Sequence, residues 1–206
     1  MAISDKKIYL ASRSLRRREL LNQIGVGHEL LLLRDSAKRG ADVDETPLDH
    51  EGPRDYAMRV ATDKVKAGLF ALSRRAGQAK PVLAADTTVA LGPRIYGKPR
   101  NAANAEEILS ELCGREHTVI TAVTVGFEER IETRVSVSTV KMKPQSAEAI
   151  RRYILTGEPM DKAGAYAVQG RAAAFITRIE GSYSGIMGLP LAETECGRLA
   201  CACERL

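Results

Sequence analysis

Two hydroxyls and four guanidinium groups fall within seven residues at Ser12-Arg13-Ser14-Leu15-Arg16-Arg17-Arg18. An apolar run precedes them and a helical pattern follows, which puts the cluster where a strand turns into a helix. Unpaired backbone N–H groups and the positive end of the helix dipole make such a start an anion site, and Ser and Arg side chains extend it. Phosphate is the ligand this chemistry suits. A merely solvated basic helix start is the weaker explanation, because cations at that end oppose the dipole.

In Ala84-Ala85-Asp86-Thr87-Thr88 a carboxylate interrupts an apolar segment. Burying it is costly unless a cation, a metal or hydrogen-bond donors compensate, so Asp86 reads as a metal ligand or base. The plainer alternative is a strand-end Asp that accepts backbone N–H bonds. Lys98, held between Gly97 and Pro99, can set a point charge against a phosphate oxygen or a leaving group. Asp42, Asp44 and Glu45 offer hard oxygen ligands to Mg²⁺, although acidic loops are usually just solvated. Gln169 stands among small and apolar residues, and its amide matches the N3–H and O4 edge of uracil or thymine. Flipped, the amide would pair equally with cytosine. A neighbouring Arg, which only donates, would favour a carbonyl over the cytosine amino group.

The elements that must hold these groups alternate between strand and helix. Ile8–Ala11 is a short buried strand, and Leu15–Ile24 a basic amphipathic helix that Gly25 stops. His28–Leu33 is a second strand, and Arg34–Gly52, lacking either periodicity, is a long active-site loop. Pro53 opens a helix reaching about Arg75, with Tyr56, Val60, Lys64, Ala67 and Ala71 along one face, so Lys64 sits on a mostly apolar stripe. Pro81–Ala85 and Thr88–Leu91 are strand material broken at Asp86–Thr87. Asn101 caps a helix to about Cys113, Thr118–Phe127 and Ile131–Met142 form a hairpin, and Ser146 caps a helix that Gly157 ends. Ala172–Ile179 reads as a further strand, and a loop from Glu180 to Pro190 leads into a terminal helix. The alternation, without an internal repeat, predicts an α/β or mixed α+β fold around one sheet, as a single two-lobed domain over residues 1–206.

A chain of 206 residues with 44% hydrophobic content can bury a substantial core. Lys and Arg number 31 against 26 Asp and Glu, and the net charge of +5 suits an anionic partner. Three Phe, six Tyr and no Trp leave few stacking platforms for single-stranded nucleic acid. No apolar run approaches the roughly 18 residues of a membrane helix, and Met1–Lys7 is too polar for the apolar part of a signal peptide, so the expected location is the cytoplasm. Cys113 stands alone, and Cys196, Cys201 and Cys203 lack metal-site spacing, so all four read as reduced thiols.

Taken together, LASRSLRRRELLNQIG at Leu10–Gly25, AADTTVALGPRIYGKP at Ala84–Pro99 and IEGSYSGIMGLPL at Ile179–Leu191 resemble the Maf family, in order and spacing, over almost the whole chain. The resemblance implies an elongated mixed sheet flanked by helices with a deep cleft, shared with the inosine triphosphatase-like pyrophosphatases. It also implies a nucleoside triphosphate pyrophosphatase dependent on a divalent cation, Mg²⁺ or Mn²⁺, cytoplasmic and often homodimeric. On this resemblance Asp86 is the catalytic acid–base residue, and Arg16, Thr87 and Gln169 set base preference. Ser12 and Arg17 hold phosphate, Lys64 and Lys98 are further charges in the cleft, and Glu45 lies near the metal with Asp86. Asp42 and Asp44 remain alternatives to Glu45. Tyr166–Gly170, YAVQG, resembles the subgroup acting on dTTP and UTP, whereas the subgroup acting on 7-methyl-GTP has a Glu-containing segment there. One departure is Leu15, where many members have proline, which loosens the helix start without removing the ligands.

The expected reaction is therefore hydrolysis of dTTP and UTP, or of modified pyrimidine triphosphates, to the monophosphate and pyrophosphate. Water activated by the metal and Asp86 attacks the α-phosphorus. A 7-methyl-GTP pyrophosphatase is one alternative. A nucleic-acid-binding regulator of cell division without turnover is the other, and the spread of the basic residues speaks against it.

Overall fold

The computed structural model describes residues 7–34, 42–74 and 80–195. Strand β1 (Ile8–Leu10), helix α1 (Leu15–Gln23) and strand β2 (His28–Leu30) form a βαβ unit with the two strands parallel. Helix α2 (Pro53–Ser73) then carries the chain to β3 (Val82–Leu91), parallel to β1 on its other side. The chain thus leaves β1 toward both neighbours, the arrangement that opens a crevice at the carboxyl end of the central strand.

The rest of the sheet is antiparallel. Strand β3 folds back on β4 (Arg94–Tyr96), helix α3 (Ala102–Leu112) follows, and β5 (Glu116–Phe127) and β6 (Arg130–Met142) make a long hairpin. Helix α4 (Ala147–Ile154), three short 3₁₀ segments, β7 (Ile176–Glu180) and α5 (Tyr183–Met187) complete the described chain. The strand order is β2-β1-β3-β5-β6-β7, with β4 beside β3. Chain chemistry fixes the helix starts: Asn101 accepts from the Asn104 N–H at 2.9 Å and Ser146 from the Ala149 N–H at 3.2 Å. Leu20 and Leu21 of α1 pack with Leu83, Ala85, Val123 and Val125 on one face of the sheet. On the other, α2 packs through Val65 with Val82 and Ala84, and through Ala57 and Ala61 with Ile120 and Ala122. Its close approach needs Gly126, where a Cβ would lie 2.4 Å from Val65 Cγ1.

One feature of register makes the cleft. Strand β3 meets β1 only at Val82 and Leu83 and meets β4 only from Val89 to Leu91, both on the edge opposite β5. Between them, no strand among the described residues covers the edge at Asp86–Thr88.

Several expectations are corrected. Strand β3 is not broken at Asp86–Thr87: both residues stay in the ladder, opposite Ala122 and Thr121. Their backbone groups pair with β5 whatever their side chains carry, and alternation sends those side chains to opposite faces. Strand β2 stops at Leu30, short of Leu33, although the Leu31 N–H still reaches Leu10 O at 3.0 Å. The buried face of α2 is Ala57, Val60, Ala61, Val65 and Gly68, rotated from the stripe read through Lys64, Ala67 and Ala71. Ala172–Ile179 divides into a 3₁₀ segment, Arg171–Phe175, and the start of β7, and the loop from Glu180 to Pro190 contains α5. Residues 191–195 are helical. Cys196, Cys201 and Cys203, the first six residues and Arg75 lie outside the described residues.

Candidate active site

The anion turn forms at the carboxyl end of β1. Ser14 caps α1, accepting from the Arg17 N–H at 3.5 Å, so Leu15 at the first helical position does not prevent the helix from starting there. Ser12 Oγ accepts from the Ser14 N–H at 3.2 Å and from Arg17 Nη1 at 3.1 Å. A hydroxyl has one proton, and with both bonds spent on its lone pairs Ser12 keeps that proton for an anionic ligand. Arg17 is more tightly held than a free phosphate clamp: Nε donates to Gly188 O at 2.8 Å and Nη2 to Thr87 Oγ1 at 3.4 Å. Three of its five N–H groups face protein, leaving two for a ligand. Burial holds its pKa below the ordinary value, against the attraction of Asp86.

Thr87 Oγ1 also lies 3.0 Å from Thr121 Oγ1, which donates to Gly185 O at 2.7 Å. Thr121 has no second proton, so Thr87 donates to it and accepts from Arg17. This chain of bonds ties α1, β3, β5 and α5 together at the floor of the cleft.

On the other face of β3, Asp86 is 8% exposed. Lys64 Nζ, from the fourth turn of α2, donates to Asp86 Oδ1 at 2.8 Å and lies 2.8 Å from Glu45 Oε1. Thr88 Oγ1 donates to Asp86 Oδ2 at 3.4 Å. The two carboxylate oxygens thus converge on one cationic position. Asp42 is turned away to Arg34, at 2.7 Å from its N–H and 2.8 Å from its Nε, and Asp44 Oδ1 accepts from the Thr46 N–H at 2.9 Å. Among the described residues, no group of three or more His, Cys, Asp and Glu gathers as a metal cage. Two carboxylates suit an ion such as Mg²⁺ that keeps water and phosphate oxygens as its other ligands. The residues therefore fit a divalent cation held together with a phosphorylated ligand.

Sequence reasoning missed the groups that aim Glu45. Arg59, five residues before Lys64 on α2, donates to Asp44 O and Thr46 O, both at 3.0 Å, and to Glu51 at 2.6 Å. Tyr56 Oη donates to Glu45 O at 2.9 Å, and burial followed by the charges of Asp86 and Glu45 pushes its pKa up. They stand five and eight residues before Lys64, positions that do not tell an anchoring arginine from a solvated one.

Ser12, Arg16, Arg17, Glu45, Lys64, Asp86, Thr87, Lys98 and Gln169 all line one cleft of about 1310 Å³. Gln169 is exposed to it rather than enclosed, and no hydrogen bond among the described residues occupies its amide. Arg16 Nη1 lies 3.7 Å from Asp161 Oδ2, a link from α1 to the segment that carries Gln169. Gly97 O accepts from the Gly164 N–H at 3.1 Å, which sets the stretch bearing Lys98 against that same segment. Behind it, Tyr166 Oη meets His117 Nε2 at 2.8 Å, and burial lowers the His117 pKa to about 4, so the imidazole is neutral.

A βαβ unit whose hydroxyl- and guanidinium-rich helix start lines one cleft with a carboxylate pair bridged by lysine defines a mixed α/β protein with a cleft whose chemistry suits a phosphorylated ligand. The chain belongs to the Maf-like protein family, whose model matches residues 7–196. It is similar to the dTTP/UTP pyrophosphatase of Nitrosomonas europaea, at 55% identity over 91% of this chain and 90% of that protein. It is likewise similar to the dTTP/UTP pyrophosphatase of Aromatoleum aromaticum, at 53% identity over 91% of this chain and 92% of that protein. The Ham1 protein of Staphylococcus aureus is similar in structure, with TM-score 0.46 and 15% identity over 82% of this chain and 91% of its own. No helix among the described residues is long and apolar enough to cross a membrane.

Proposed function

We propose that this protein is a nucleoside triphosphate pyrophosphatase that hydrolyses dTTP and UTP to the monophosphate and pyrophosphate. The observation that carries the reading is the buried Asp86 carboxylate, gripped by Lys64 at the uncovered edge of β3 and facing the same cleft as the Ser12–Arg17 anion turn. Family membership and the names of the relatives support it.

In this mechanism the triphosphate lies along the Ser12–Arg17 turn, with the Ser12 proton, the two spare Arg17 N–H groups and Lys98 donating to its oxygens. Asp86 takes a proton from a water molecule. The water oxygen bonds to the α-phosphorus, the bond from that phosphorus to the α,β-bridging oxygen breaks, and pyrophosphate leaves with its charge met by Lys98 and Arg17. Lys64 donates to Asp86 Oδ1 and holds the carboxylate in place. A divalent cation held by Asp86 and Glu45 supplies Lewis-acid polarisation of the phosphates when bound. The Gln169 amide pairs with the N3–H and O4 edge of the base, Thr87 at the cleft floor belongs to the same base-selecting set, and Arg16 disfavours the cytosine amino group by offering only donors. A cytoplasmic location and a homodimeric state belong to the same reading, carried by the family resemblance.

The test is pyrophosphate release from dTTP, UTP, CTP, GTP and 7-methyl-GTP with Mg²⁺ or Mn²⁺ and with a chelator. The proposal requires metal-dependent cleavage of dTTP and UTP in preference to CTP. Preferred cleavage of 7-methyl-GTP would overturn the base reading, and salt-dependent nucleic-acid binding without turnover would overturn the enzyme reading.

A further inference from the structure

The Gln169 amide can read a base only if the backbone beneath it is held in one position. The preceding turn supplies a lock that the catalytic account does not use. Glu158 lies outside the cleft lining, in the 3₁₀ segment Glu158–Asp161. Its Oε1 accepts from Tyr153 Oη of α4 at 2.8 Å, and its Oε2 accepts from the Arg171 N–H at 3.0 Å. Tyr153 is itself fixed, buried and edge-on to Phe175 with ring centroids 5.5 Å apart. Lys162 Nζ donates to Glu158 O at 2.8 Å, which holds the Glu158 backbone as well. The carboxylate therefore bridges the core to the peptide two residues beyond Gln169.

Gly170 bears the imprint of this contact. A Cβ there would lie 2.3 Å from Glu158 Oε1 and 2.5 Å from both Cδ and Oε2. Its φ of −104° is open to any L-residue, so glycine is required for space and not for backbone conformation. The carboxylate sits where a side chain at position 170 would be, directly behind the residue that faces the base.

We infer that Glu158 is a positioning residue for base selection: its carboxylate, seated against the side-chain-free Gly170, locks the Gly170–Arg171 backbone so that Gln169 meets the nucleobase in one orientation. The inference rests on the base-reading role given to Gln169 above. Its substrate-level consequence is discrimination between a pyrimidine with a carbonyl at position four and one with an amino group.

The test compares kcat and KM for UTP and CTP, together with Tm, in the wild type and in Glu158→Ala, Glu158→Gln, Gly170→Ala and Gln169→Ala. Glu158→Ala is expected to cut the UTP-to-CTP ratio of kcat/KM by about tenfold, mainly through a higher KM for UTP. Gly170→Ala is expected to do the same without removing the carboxylate. The double variant Glu158→Ala/Gly170→Ala should be no worse than Glu158→Ala alone, because the methyl fills the vacated space. Glu158→Gln should restore the ratio, since its amide oxygen can accept from the Arg171 N–H while its NH₂ donates to Tyr153 Oη. An equal loss for UTP and CTP, or a lower Tm with the ratio intact, would make Glu158 a structural brace and overturn the inference while Gln169→Ala still shifts the ratio. An unchanged ratio in Gln169→Ala would instead remove the base-reading role, and the inference with it. Should Glu158→Ala fail to fold, Gly170→Ala carries the test, with the same ratio loss expected and an unchanged ratio overturning the proposal.

Discussion

Replacing Lys64 by methionine keeps the length of the side chain and removes the charge that two carboxylates share. Lys64 and Asp86 side chains are 15% and 11% exposed, and Nζ lies 2.8 Å from Asp86 Oδ1. At that distance and an effective dielectric of about 20, the gross attraction is about 6 kcal/mol, most of which desolvation offsets. The Glu45 side chain, at 52% exposure and the same 2.8 Å, can turn into solvent. Its share of the loss is therefore under about 1 kcal/mol. Asp86 cannot turn away, because β3 fixes it in the ladder opposite Ala122. Leaving a buried charge without its partner costs about 3–5 kcal/mol, and the open cleft favours the lower end. Lys64→Met should therefore lose about 3 kcal/mol, or about 6–12 °C in Tm for a chain of this size. The assay is equilibrium urea unfolding in the presence of a chelator. Added Mn²⁺ should then recover more stability in the variant than in the wild type, because the carboxylate pair no longer holds its own cation. A loss below about 1 kcal/mol in chelator would refute the reasoning that Lys64 is what makes a buried Asp86 tolerable.

Other consequences are equally direct. Because burial lowers the folded-state pKa of His117 from 6.5 to about 4, the unfolded chain takes up the proton first as pH falls. Stability should be full above pH 6.5, fall by up to about 3 kcal/mol down to pH 4 and then level off, and His117→Gln should remove most of this slope in urea titrations across that range. Arg59→Ala should free the backbone at Asp44 and Thr46, misplace Glu45, and raise the Mg²⁺ concentration giving half-maximal rate by about tenfold, read from metal titration of turnover. Gly126→Ala should cost about 1–3 kcal/mol by driving a methyl into Val65 and lifting α2, measurable as a lower Tm.

Two helix starts were legible because the residues that make them act locally: Asn101 and Ser146 each accept from the N–H three residues on. The hairpin of β5 and β6 was legible for a similar reason, as two alternating runs around a short turn. Asp86 misled the strand reading and at the same time pointed to the site, since a carboxylate in an apolar run disturbs composition without breaking the ladder. The uncovered edge of β3 could not be read at all, because it depends on where β1 stops and β4 begins relative to β3. The choice among Asp42, Asp44 and Glu45 was closed to the sequence because remote groups decide which of them meets Lys64. Arg34 takes Asp42, and Arg59 and Tyr56 hold the backbone that presents Glu45. Glu158 was invisible too: its two bonds reach five residues back and thirteen forward, with no periodic pattern to mark them.

The most direct test of the account follows ¹⁸O from labelled water during UTP turnover by the wild type and by Asp86→Asn, with binding and Tm measured on both proteins. One labelled oxygen should enter UMP and none pyrophosphate, and Asp86→Asn should stay folded, bind UTP and lose turnover by at least about a hundredfold. Label in pyrophosphate would move the attack away from the α-phosphorus, and wild-type turnover by folded Asp86→Asn would remove Asp86 from the chemistry.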